Sequence, residues 1–353
     1  MDDVLEIIKH FYGKGELLTV EPYGNGHINK TFLVTTTERK YILQKINTNA
    51  FKDVDLLMNN IMVATKHLLN KGIFTIKFLL SDNGKYYYFD GQSYYRAYRF
   101  IDKTIWHEKI SSPTLLKKVA EAFGDLHHNF VDLDGHLLKE SIPHFHDTPK
   151  RYNDLLLAIK NDSKNRLKDC QKEIKDIQEV QEYFSLITDA LAKGEIHLSI
   201  THNDPKINNV LFDEESEEVK CVIDLDTIMP GSFLYDFGDA LRSLFTGDNE
   251  DNIDPTLCRV DLDTYRNYLE GYWSKMKSSL TEKEIELLPY SPLVLSAECG
   301  MRFLEDYLKG DVYFHTAYPE HNLIRARTQI HQAHDILRYI DDLKKITKEI
   351  TKR

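Results

Sequence analysis

The chain has 353 residues, with 45 Lys and Arg against 56 Asp and Glu for a formal charge of −11; 42% hydrophobic and 29% charged residues make it a globular mix, not a disordered or fibrous one. That length is more than one core usually fills, so two structural units of unequal size are expected. The acidic balance argues against nucleic-acid binding and against docking on an anionic membrane, and no run approaches the ~18 apolar residues needed to cross a bilayer.

The opening, MDDVLEIIKHFYG, starts with acids and reads as a short amphipathic helix, not a secretion signal. From Leu17 to Ile101 the pattern is strand-like. Leu17 to Tyr23, Lys30 to Thr36, Lys40 to Ile46, Thr75 to Leu80, Lys85 to Phe89 and Tyr94 to Phe100 are runs rich in β-branched and aromatic residues. Asp82-Asn83-Gly84 and Asp90-Gly91 supply hairpin turns. One helix, Val54 to Asn70, interrupts them, with Leu57, Ile61, Ala64 and Leu68 at helical spacing.

After residue 101 the character changes, and the two expected domains are 1–101 and 102–353. Ser112-Pro113 opens a helix carrying Leu116, Val119, Phe123 and Leu126. Lys150 to Lys193 reads as a long charged helical stretch with an apolar stripe, and Leu323 to Leu343 as a sustained final helix. Between them lies a β-rich island, Ser199 to Asp226. Cys170, Cys221, Cys258 and Cys299 share no metal-site spacing and read as reduced, mostly buried thiols, so a cytoplasmic location is expected.

The island carries the chemistry. His202, Asp204 and Asn209 have the spacing H-x-D-x-x-x-x-N, the catalytic-loop pattern of kinase-like proteins. In that pattern the Asp accepts the proton of an attacking hydroxyl and the Asn reaches a Mg²⁺ ion. A strand to Phe212, an acidic turn and a second strand, Val219 to Ile223, deliver Asp224 at the position of the second metal ligand. Asp204 and Asp224 taken singly read as turn acids; the joint spacing, hairpin and apolar strands favour phosphoryl transfer. Asp236, in Tyr235-Asp236-Phe237-Gly238, reads either as a support for the loop backbone or as a helix N-cap. Upstream, Gly24-Asn25-Gly26-His27 joins two strands; such a turn can bring backbone N–H groups to phosphates, and His27 is placed to project toward a substrate. No Walker A sequence is present.

These residues resemble the aminoglycoside phosphotransferase (choline kinase-like) superfamily, on His202-Asn203-Asp204, Asn209, Ile223-Asp224 and the Tyr235-Asp236 segment. Within it, EPYGNGHINKTF, KYILQKIN, THNDPKINNVLFD and IDLDTIMPGSFLYDFGDALRS are similar to the N-acetylhexosamine 1-kinases. The resemblance implies an α+β, protein-kinase-like bilobal fold, with a small antiparallel-sheet N-terminal lobe containing one long helix and a larger, mainly helical C-terminal lobe. It implies use of ATP and Mg²⁺ to phosphorylate the anomeric hydroxyl of N-acetylglucosamine or N-acetylgalactosamine to the α-1-phosphate. Asp204 would be the base and contact the sugar, Asn209 and Asp224 would bind metal, and His27, Arg302 and Tyr313 would contact the sugar. The turn Gly24, Asn25 and Gly26 and the strand residue Gln44 would face the nucleotide.

One departure stands out. In Lys40-Tyr41-Ile42-Leu43-Gln44-Lys45, Gln44 occupies the place of the usual phosphate-pairing Lys, Lys45 points to the opposite face, and Val54 to Asn70 offers no Glu partner. For Arg302 the plain alternative is a salt bridge to Glu298 or Glu305 on its own helix, and for Tyr313 ordinary packing. The rival substrates are other small alcohols: aminoglycosides, choline, ethanolamine or homoserine. A binding protein with a dead kinase fold is disfavoured because Asp204, Asn209 and Asp224 are all present. A monomer is expected, with sugar and ATP as its partners.

Overall fold

A computed structural model of the chain describes residues 2–11, 13–24 and 28–352. The chain separates into two compact units: Met1–Trp106 with Leu137–Ile142 and Leu211–Ile228, and His107–His136 with Pro143–Val210 and Met229–Arg353.

The first elements in order are α1 (Asp2–Lys9), β1 (Leu17–Pro22), β2 (Lys30–Thr36), β3 (Lys40–Lys45), α2 (Val54–Asn70), β4 (Tyr88–Phe89), β5 (Tyr94–Arg99) and β6 (Thr104–Ile105). Five strands form an antiparallel sheet in the order β1-β2-β3-β5-β4. Its register sets Thr31 opposite Gln44 and Gln44 opposite Arg96, so the three side chains form a row across one face. Val20, Val34, Tyr41, Leu43, Tyr95 and Ala97 fill this unit's core. The helix α2 begins where the Asp53 side chain accepts the Leu56 N–H, and it buries Leu57, Ile61, Ala64 and Leu68 as their spacing indicated.

Two expected strands fall short. Thr75 to Leu80 contributes only an isolated bridge from Phe78 to Tyr98, and Lys85 to Phe89 contributes only β4. Between them the Ser81 hydroxyl lies 2.8 Å from the carbonyl oxygens of both Lys85 and Tyr87. Local bonds of this kind satisfy backbone groups that a ladder would otherwise take.

The remaining elements are α3 (Pro113–Phe130), α4 (Thr148–Asn161), α5 (Gln171–Glu179), α6 (Leu186–Ala192), β7 (Ser199–Thr201), β8 (Val210–Asp213), β9 (Val219–Val222), β10 (Met229–Gly231), α7 (Phe233–Thr246), α8 (Leu262–Met276), α9 (Glu282–Leu287), α10 (Ser291–Lys309), α11 (His321–Arg338) and α12 (Ile340–Thr351). The hairpin β8–β9 joins β6 in a three-stranded sheet, and β7 pairs with β10. The helical stretch Lys150 to Lys193 is divided into α4, α5 and α6: α4 ends at Asp162, left-handed at φ 32°, whose carboxylate accepts the N–H groups of Arg166 and Leu167. The final stripe is likewise divided, at Tyr339 between α11 and α12. All four cysteines are free, three of them buried. No helix among the described residues is long and apolar enough to cross a membrane.

The helical core of the second unit centres on Phe233, Phe237, Tyr265, Tyr268 and Tyr272. Glycines set two close helix contacts in it. A Cβ at Gly271 of α8 would stand 2.5 Å from the Lys117 carbonyl oxygen of α3, and one at Gly238 of α7 would stand 2.6 Å from the Ser291 carbonyl oxygen of α10. Gly238→Ala should therefore push α7 off α10 and cost about 1–3 kcal/mol, the usual range for overpacking. Urea unfolding checks this; an unchanged midpoint would show that the contact yields freely.

Candidate active site

The catalytic-loop motif leaves β7 and is held from below by Asp236 of α7. The Asp236 carboxylate accepts the backbone N–H of His202 at 2.7 Å and that of Asn203 at 2.6 Å, and it lies 2.7 Å from His127 Nε2. His127 Nδ1 is in turn 2.9 Å from the Tyr272 hydroxyl. Asn203 sits at φ 62°, a left-handed conformation that Asn tolerates better than most residues. The loop thus turns back under a fixed pair of hydrogen bonds. Ser232, not Asp236, caps α7, its hydroxyl accepting the Leu234 N–H, so Asp236 is the loop support and not the helix cap. Burial drives the Asp236 carboxyl up, but the His127 hydrogen bond, the charges of His127 and His202 and the loop amides outweigh it and hold the group below the ordinary carboxylate range.

Above this support stand Asp204 and Asn209. Asn209 Nδ2 donates to the Asp204 carbonyl at 2.9 Å and to its Oδ2 at 3.1 Å, and Lys206 Nζ lies 2.6 Å from Asp204 Oδ1. Desolvation works against the Lys206 ammonium, yet the Asp204 and Asp239 carboxylates together outweigh it and raise the lysine above its ordinary value. Lys206 was not singled out in the sequence, although it stands two residues after the motif Asp.

A second group of side chains gathers around α10. The Arg302 guanidinium lies over the rings of Phe145, Phe314 and Tyr313, at 5.2, 5.6 and 6.0 Å. The expected helix salt bridge is not formed: Glu298 accepts from Thr148 and bonds His146 at 2.8 Å, and Glu305 pairs with Lys309. Among the described residues no carboxylate lies within ion-pair distance of Arg302. Tyr313 is exposed, and its loop is pinned by Asp306, whose carboxylate accepts the N–H groups of Val312, Tyr313 and Phe314, each at 2.9 Å. His146 also stacks on Tyr235 at 4.9 Å, and its buried Nε2 has no hydrogen-bond partner among the described residues. Asp239 is within electrostatic range of both His146 and Lys206, which links this group to the loop. Phe145, Phe314, His146 and Asp239 carried no motif that sequence reasoning uses.

The other expected site residues belong to the first unit. Asp224 is exposed at the end of the β8–β9 hairpin, left-handed at φ 60°. Two residues on, Asp226 is buried, paired with Arg96 Nη2 at 2.5 Å and accepting from Asn29 Nδ2 at 2.5 Å. Gln44 accepts from Arg96 Nε at 2.9 Å and donates to Thr31 Oγ1 at 3.2 Å. Gly24 adopts φ 74° with open space around it, while the expected contacts Asn25, Gly26 and His27 lie outside the described residues. Each residue, taken within its own unit, is of a donor type that Mg²⁺ accepts: Asn209 spends its amide nitrogen on Asp204, which leaves its amide oxygen as an acceptor, and Asp224 is an exposed carboxylate.

The model of the phosphotransferase enzyme family (APH) matches residues 19–272, well over half of the chain. The chain belongs to that family. It is a small-molecule kinase, transferring phosphate to an alcohol. Solved structures give the same fold. A microcompartment-associated aminopropanol kinase superposes with a TM-score of 0.68 at 14% identity, covering 97% of this chain and 98% of that one. Spectinomycin phosphotransferase, solved with ADP and spectinomycin, gives 0.60 at 13%, covering 96% and 98%. Choline kinase from Cryptosporidium parvum Iowa II gives 0.58 at 14%, covering 100% and 99%. With them the α+β, kinase-like fold class read from the sequence stands.

The depressed Asp236 carboxyl contributes stability that is present at neutral pH and is lost as pH falls through its lowered value. Asp236→Asn should cost about 1.5–3 kcal/mol at pH 7, as for losing buried hydrogen bonds to a charged group, and the gap to the parent protein should narrow toward acid pH. Urea unfolding at a series of pH values measures both.

Proposed function

We propose that the protein is an ATP- and Mg²⁺-dependent kinase that phosphorylates the anomeric hydroxyl of an N-acetylhexosamine, giving the α-1-phosphate. Arg302 is the observation that carries the acceptor class. A guanidinium with aromatic faces around it and no carboxylate partner among the described residues repels a cationic acceptor and offers its N–H donors to neutral oxygens. An amine-bearing acceptor such as choline or an aminoglycoside would meet like charge there. Tyr313 and the buried His146 Nε2 add polar groups of the kind that read hydroxyls and an amide.

In this reading Asp204 accepts the proton of the sugar hydroxyl as its oxygen bonds to the γ-phosphorus, the bond from that phosphorus to the β-phosphate oxygen breaks, and ADP leaves. Lys206 and Asn209 fix the two Asp204 oxygens in place, and Asp236 fixes the backbone from which Asp204 projects. Asn209 and Asp224 would each offer Mg²⁺ an oxygen, and the ion would neutralise phosphate charge. Gln44 of β3 bonds Arg96 and Thr31 in this structure, so its part toward the nucleotide is indirect.

Release of ADP with a panel of acceptors tests the substrate class. N-acetylglucosamine or N-acetylgalactosamine should support turnover, with choline, ethanolamine, homoserine and kanamycin at background; turnover on a cationic acceptor would refute the sugar reading. Arg302→Ala should raise KM for the sugar about tenfold or more while ATP binding holds, as expected for losing a charged hydrogen-bond donor. Asp204→Asn should lower kcat by about 10²–10⁴ with nucleotide binding intact, the range of a lost general base.

A further inference from the structure

The missing lysine of β3 has a successor, and it sits on the next strand. Arg96 faces Gln44 directly across the β3–β5 ladder, and Gln44 orients it by accepting from Nε. Arg96 is 2% exposed, and its guanidinium lies over the Phe78 ring at 5.7 Å and pairs with the Asp226 carboxylate at 2.5 Å. The other Asp226 oxygen accepts from Asn29 Nδ2, and Asn29 in turn uses its own oxygen to receive the Asn47 N–H at 2.9 Å. Lys45 faces the opposite side of the sheet, over the Tyr95 ring at 5.8 Å, and takes no part.

We propose that Arg96 is the positioning residue of the metal-binding turn: its ion pair with Asp226 fixes the backbone that presents Asp224. The inference rests on the reading of Asp224 as a ligand of the nucleotide's metal. Asp224 is an exposed, non-glycine residue held at φ 60°, a conformation that persists only where the surroundings over-determine it. Those surroundings are on the page. Upstream the β8–β9 hairpin fixes the strand, downstream the Ile228 carbonyl accepts from Asn60 at 3.1 Å, and between them Asp226 is gripped from both sides. The usual Lys–Glu pair of kinase-like folds joins the sheet to a helix; here the cation joins the sheet to the turn instead. Being buried against Asp226, Arg96 acts through that turn and not on the phosphates.

The test compares nucleotide binding with and without metal, by calorimetry, with ADP in Mg²⁺ or in EDTA. Because Arg96→Gln alone strands a buried carboxylate and risks unfolding, the main variant is Arg96→Gln/Asp226→Asn, which removes both charges. It should melt as a single cooperative transition, bind ADP in EDTA as the parent does, and need at least tenfold more Mg²⁺ to reach half of the metal-dependent gain in affinity. Asn29→Ala, which loosens the second grip, should shift the Mg²⁺ midpoint in the same direction by less, and Arg96→Lys should recover part of the loss. An unchanged Mg²⁺ midpoint in the double variant would overturn the proposal. So would an equal loss of ADP affinity in Mg²⁺ and in EDTA, which would put Arg96 in direct contact with the nucleotide. If the parent protein itself shows no Mg²⁺-dependent nucleotide binding, the metal role of Asp224 fails first, and the two failures are told apart by which protein shows them.

Discussion

Asp236 is 1% exposed, and taking a carboxylate out of water costs several kcal/mol unless its oxygens find donors. It finds three: His127 from α3 and the amides of His202 and Asn203, two loop groups just beyond the β7–β10 ladder. The charge and the loop therefore satisfy each other, and the left-handed turn at Asn203 is held in the bargain. Everything beyond the turn follows from this: Asp204 projects from a backbone that cannot drift, and Asn209 and Lys206 close on its two oxygens. The support is itself positioned by packing, since α7 reaches its place only because Gly238 lets it lie against the Ser291 backbone.

The first unit solves a similar problem with different atoms. There the buried carboxylate is Asp226, its donors are Arg96 and Asn29, and the exposed partner two residues away is Asp224. In both units one carboxylate is hidden and held by neighbouring donors or a cation, and a nearby one is more open to solvent. This is preorganisation: groups held before the substrate arrives do not have to be ordered during the reaction.

Much of this was legible in the sequence, and the parts that were not share a cause. The H-x-D-x-x-x-x-N spacing, the β8–β9 hairpin and α2 depend on local pattern, and local pattern is what a sequence displays. The stretch Lys150 to Lys193 kept an apolar stripe through two helix breaks because successive short helices can bury one surface. Asp236 was legible as a residue with two candidate roles; choosing between them required knowing that Ser232 takes the cap. Arg96 was invisible because its meaning depends on strand register and on a turn some 130 positions away, which no periodicity encodes. Arg302 could be singled out, but its aromatic surroundings come from Phe145 and Phe314, far apart in the chain and brought together by packing on α10.

The position of the transferred phosphate tests the account most directly. Phosphorus NMR of the product formed from Mg-ATP and N-acetylglucosamine or N-acetylgalactosamine should show a sugar phosphate whose resonance couples to the anomeric proton. A phosphate coupled instead to a proton at another ring position, or no sugar phosphate alongside transfer to an amino alcohol, would contradict the role given to Arg302 and the acceptor class built on it.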